Sequence, residues 1–82
     1  MKLFCIKDSK AQTYQGCYCA VNDAIMIRNF QNEFINGKLG IINQFPADFA
    51  IYSLGELNEI TGDITPKVEF VKNFTDFVRD KA

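Results

Sequence analysis

The residues of this chain best equipped for covalent or metal chemistry are its three cysteines, Cys5, Cys17 and Cys19. Cys17 and Cys19 are two apart, so on a strand they face the same side, with Cys5 across from them on a neighbouring strand. A thiolate metal site needs about four good ligands, and Cys-x-Cys in a chain without histidine is incomplete. A second copy could complete it, but free thiols packed as small hydrophobes are the common outcome. The carboxylates Asp48, Glu56, Glu59 and Asp63 gather around one turn region, where such groups are usually solvated. There is no phosphate-cradling glycine loop and no paired-carboxylate signature for general acid–base work. The expectation is a protein without enzymatic activity, catalytic residues, cofactor or metal.

A second chemistry is open to the aromatic and basic residues. The sequence holds eight phenylalanines and three tyrosines. Tyr14, Tyr18 and Tyr52 are the best candidates for stacking on nucleobases, since their hydroxyls tolerate water. The competing use of the same rings is packing in a core or a dimer interface, the more frequent fate. Lys7, Lys10, Arg28 and Lys38 are candidate phosphate contacts or simply a solvated surface, depending on whether they share a face. The net charge of −1, from nine basic and ten acidic residues, weakens any case for binding driven by phosphate attraction. Single strands held by stacking remain compatible with it.

The elements that must position these residues follow from periodicity. Lys2 to Lys7 and Thr13 to Val21 are rich in strand formers and separated by a turn, which predicts an antiparallel hairpin. Gly16 marks a bulge or a close backbone approach in the second strand. Asn22 or Asp23 caps a helix whose apolar stripe is read as Ala24, Ile27, Phe30 and Phe34, stopped at Gly37. A connection, with a turn at Gly40 and Phe45 held extended by Pro46, leads to a strand ending around Leu57. A hairpin loop containing Gly62 then precedes a shorter strand, placed at an edge because Pro66 cannot donate to a ladder. Phe70, Phe74, Phe77 and Val78 recur at helical spacing, with Asn73 as cap, and predict a short C-terminal helix. The expected fold is α+β, in the order β-β-α-β-β-α, with a small, mostly antiparallel sheet.

Size and composition bound the rest. With 82 residues the chain is expected to form one domain, residues 1–82, with little spare core. Hydrophobic residues at 48% and charged residues at 23% argue against disorder. An odd cysteine count and too short an apolar start for a secretory signal predict a soluble protein of a reducing compartment, with no membrane association.

The order of several short motifs resembles that of small nonstructural proteins of gokushovirus-type microviruses, phages with circular single-stranded DNA genomes. Asp8, Lys10 and Ala11 match an Asp-x-Lys-Ala segment after the first strand. Ala24, Arg28 and Phe30 match a central helix of the type Ala-x-x-x-Arg-x-Phe. Pro46, Asp48, Phe49, Ile51, Tyr52, Leu54, Gly55, Thr61 and Gly62 follow the pattern Pro-x-Asp-Tyr-x-Leu-Tyr-x-Leu-Gly and then Asp-x-x-Thr-Gly. Phe49 stands for Tyr, Ile51 for Leu and Asn58 for Asp. The resemblance implies an accessory protein binding single-stranded DNA during genome replication or packaging, in the cytoplasm of the bacterial host. The alternative is an adaptor for a host or phage protein.

One question is left by the strand beginning at Phe49. Phe49 and Ile51 face one side, and Tyr52 and Leu54 the other, so both faces are apolar. The C-terminal helix or a partner subunit would have to cover the second face. A homodimer is expected, with Tyr52, Leu54, Phe74 and Phe77 at or under its contact.

Overall fold

The computed structural model describes the backbone of residues 1–81 and the side chains of residues 1–78. The strands are β1 (Lys2–Asp8), β2 (Thr13–Ala20), β3 (Phe49–Leu57) and β4 (Ile64–Asn73), and the helices α1 (Asp23–Ile35), α2 (Ile41–Gln44) and α3 (Asp76–Lys81). A single 3₁₀ turn, Pro46–Asp48, leads directly into β3. The strands form one sheet in the order β2-β1-β3-β4, every neighbouring pair antiparallel. The expected α+β class and alternation of elements are therefore present.

Local chemistry explains most element boundaries. The Asp8 carboxylate accepts from the backbone N–H groups of Lys10 (3.0 Å) and Ala11 (3.1 Å), folding the β1–β2 turn. Asn58 does the same for Ile60 and Thr61 in the β3–β4 turn. Asn22 caps α1 by accepting from the Ile25 N–H at 2.9 Å. The Lys2 ammonium donates to the Asp23 carboxylate and ties the start of α1 to β1.

All three helices contribute to one core on a single face of the sheet. It joins Phe4 and Ile6 of β1 and Phe49 and Ile51 of β3 to Met26, Phe30 and Phe34 of α1, Ile42 of α2, and Phe74 and Phe77. The rings of Phe30, Phe34, Phe74 and Phe77 meet one another at centroid distances of 5.6–6.3 Å.

Four expectations are corrected. The buried stripe of α1 is Met26, Phe30 and Phe34, a repeat of four, while Ala24 is exposed and Ile27 half-buried. The connection before β3 holds a short helix, α2, that the expected order lacks, because Asn43 accepts from the Leu39 N–H and donates to the Phe34 carbonyl, pinning α2 beneath the end of α1. The last strand is ten residues long and runs through Asn73, so Phe70 belongs to a strand and Asn73 does not cap a helix. Finally, α3 lies on the same face as α1. Phe74 and Phe77 are fully buried there, so they neither cover the second face nor offer surface to a partner.

Candidate functional site

The face opposite the helices is the region where chemistry remains available. Alternation along the strands sends Leu3, Cys5 and Lys7 of β1, and Ala50, Tyr52 and Leu54 of β3, to this side. Register then sets the neighbours: Lys7 lies opposite Tyr14 of β2 and Ala50 of β3, while Tyr52 lies opposite Cys5 and Phe70.

Three rings thereby form a ladder across the sheet. Tyr14 and Tyr52 meet edge to face at 5.6 Å and 85°, and Tyr52 and Phe70 at 5.7 Å and 80°. The Lys7 ammonium sits between the two tyrosines, 5.4 Å from one ring centroid and 5.5 Å from the other, within cation–π range. About half the surface of Tyr14 (49%) and of Phe70 (54%) is open to solvent. Beside the ladder, a depression of about 160 Å³ is lined by Lys7, Tyr52, Phe70, Ser9, Asp48 and Asn73, among others. Leu54 and Val68 continue the apolar surface away from it, Val68 being 58% exposed.

This arrangement brings Lys7, Tyr14 and Tyr52 together and separates the other sequence candidates from them. Tyr18 points to the helix side, where its ring packs on Phe30 at 5.1 Å. A bulge between Phe4 and Ile6 sets this register, and Gly16 permits it with a φ of 76°. Any Cβ at Gly16 would stand 2.8 Å from the Tyr18 ring. Arg28 and Lys38 are exposed in the helical layer, on the far side of the sheet from the ladder. Lys10 is exposed in the β1–β2 turn, at the end of the platform. Phe70 was not among the sequence candidates. The alternation of Val68 and Phe70 after Pro66 is the signal that could have revealed it, but the four-residue spacing to Phe74 reads equally well as a helix.

The cysteines divide. Cys5, opposite Tyr52 in the strand register, is buried, and burial pushes its thiol above the ordinary value of 9.0, with Cys17 adding to the shift. Cys17 and Cys19, expected to be packed, are exposed and free. No group of three or more His, Cys, Asp or Glu able to hold a metal ion occurs among the described residues. No helix among them is long and apolar enough to cross a membrane.

The family model of the phage ORF5 protein matches residues 1–77, from β1 into α3. The chain belongs to the phage ORF5 protein family. The match to this phage family spans the whole ladder, including Lys7, Tyr14, Tyr52 and Phe70. Neither a curated protein nor a solved structure matches the chain.

Proposed function

We propose that the protein is a non-enzymatic accessory protein of a small single-stranded DNA phage, of the microvirus type, that binds single-stranded DNA during genome replication or packaging. The observation that supports this reading is the half-exposed Tyr14–Tyr52–Phe70 ladder with Lys7 set into it, on the sheet face opposite the core that the helices join. Aromatic rings spaced across an open sheet stack on successive bases whatever their sequence, while a cation beside them meets the backbone phosphate. Duplex DNA hides its base faces and is disfavoured by the same geometry.

The charge distribution sets the expected mode of binding. Of the four candidate cations, Lys7 lies within the ladder and Lys10 at its margin, whereas Arg28 and Lys38 are on the other side. With one or two phosphates engaged, log K should fall with log salt at a slope of only about −0.7 to −1.4. Stacking, at roughly 1–3 kcal/mol per base, carries most of the affinity. Titration of fluorescent oligothymidine and of duplex DNA at low and moderate salt tests this. Binding of the single strand with a shallow salt slope is expected; absence of single-strand binding at low salt refutes it.

A second reading is an adaptor that engages a host or phage protein through the same face. Leu54 and Val68 favour it, because they extend the ladder into apolar surface, Val68 being more than half exposed. Partners captured from infected cells that survive nuclease treatment support the adaptor; partners lost with nuclease support DNA.

A further inference from the structure

We infer that the depression beside the ladder is a guanine-selective base pocket, with Asp48 as its specificity-determining residue. This inference rests on the single-strand reading of the ladder and adds sequence preference to it. Tyr52 and Phe70 supply apolar wall and Lys7 a cation, while Ser9, Asp48 and Asn73 supply polar groups. At about 160 Å³ the space suits one base rather than a longer ligand.

The state of the polar groups narrows the choice of base. The backbone carbonyl of Asp48 is occupied, accepting from the Ser9 N–H at 2.9 Å and the Ser9 hydroxyl at 3.0 Å. These bonds fix the 3₁₀ turn against the end of β1. Among the described residues, the half-buried Asp48 carboxylate and the Asn73 side-chain amide enter no hydrogen bond or ion pair. An ionised carboxylate only accepts, and pairs best with two parallel donors. Guanine alone among the four DNA bases presents that pattern, N1–H beside the N2 amino group. Thymine offers one N–H flanked by two carbonyl oxygens that repel a carboxylate. Adenine and cytosine each offer one amino group next to a ring nitrogen acceptor. The Asn73 amide is equipped to donate to guanine O6 or N7, groups the other pyrimidine and purine edges replace or lack in combination. Stacking on Tyr52 and Phe70 separates purines from pyrimidines only modestly and guanine from adenine hardly at all, so the carboxylate is the discriminating element.

The test uses four labelled heptamers, T7 and T7 with the central base replaced by G, A or C, read by fluorescence anisotropy against the full chain. A single guanine prevents quadruplex formation. The expected result is roughly tenfold tighter binding of the G heptamer than of the other three, the scale of one good bidentate base contact. Asp48→Asn should bring the four within about twofold of one another, by weakening the G heptamer and relieving the repulsion between the carboxylate and thymine. Its far-UV circular dichroism should be unchanged, since the side chain makes no contact that holds the turn. Equal binding of all four by the natural chain, or a guanine preference that survives in Asp48→Asn, would overturn the pocket and leave the ladder standing. Failure to bind any heptamer would remove the ladder and the pocket together.

Discussion

Phe70 and Phe74 stand four positions apart and meet opposite surroundings, one ring 54% exposed on the open face and the other fully buried among the helices. Their replacement by alanine should separate function from stability. Phe74→Ala leaves a cavity bordered by Phe30, Phe34 and Phe77 and should cost about 3–5 kcal/mol, read by thermal or denaturant unfolding. Phe70→Ala should cost well under half of that, yet weaken oligonucleotide binding by roughly 1–3 kcal/mol. Equal binding by Phe70→Ala and the natural chain would exclude the ladder as a stacking surface. Cys5 yields a residue-scale prediction in pH. Its thiol is raised in the fold, chiefly by burial, so the folded chain resists giving up this proton. Stability is unaffected below the ordinary value of 9.0 and declines as pH climbs from there towards the raised value, because the unfolded chain ionises first. Cys5→Ala should flatten that limb of a stability–pH curve; an unchanged limb would assign it to other groups.

At the scale of elements, the junction of β3 and β4 has the least tolerance. Gly55 has a φ of 141°, and a Cβ there would lie 2.1 Å from the Thr65 carbonyl oxygen, a backbone atom that cannot turn aside. Gly55→Ala should destabilise by about 1–3 kcal/mol or more through separation of the two strands, seen as a lower unfolding midpoint and faster amide exchange in β4. A midpoint within error of the natural chain would contradict this. The same region shows where sequence reading reaches its limit. β1, β2, α1 and the Phe49–Leu57 strand were legible because strand alternation, the Asn22 cap and the spacing of Phe30 and Phe34 agreed with one another, although the α1 stripe begins at Met26 rather than at Ala24 or Ile27. β4 was read short because Phe70, Phe74 and Phe77 fit a helical period, and two bulges in the β3–β4 pairing break the strand alternation that would have opposed it. The short α2 depends on the Asn43 bonds to Leu39 and Phe34, a tertiary tie that no local period encodes. Of the site, Lys7, Tyr14 and Tyr52 were legible as residue types. Their meeting required the register of three strands, and Phe70 was hidden by its ambiguous spacing.

At the scale of the molecule, the two faces of the sheet are unequal. One carries every helix, while the other carries the ladder with Leu54 and Val68 beyond it. A second copy docking here would use Tyr52 and Leu54, as the sequence suggested, and would cover the rings proposed to stack on a single strand. Self-association and DNA binding should therefore compete. Sedimentation at micromolar concentration should show a monomer–dimer equilibrium that moves to monomer when T7 is added in excess. A dimer indifferent to the oligonucleotide would place the contact elsewhere, for example along the free edges of β2 or β4. A monomer at every concentration would remove the dimer.

The placement of the tyrosines has an optical consequence. The chain has no tryptophan and three tyrosines, so its ultraviolet emission is tyrosine emission alone. Tyr14 and Tyr52 are ladder rings, whereas Tyr18 is turned towards Phe30 on the opposite side. A stacked base quenches the ring beneath it, so an unlabelled oligonucleotide should extinguish the signal of two emitters and spare the third. Tyr18→Phe would then leave a protein whose entire intrinsic fluorescence reports occupancy of the open face.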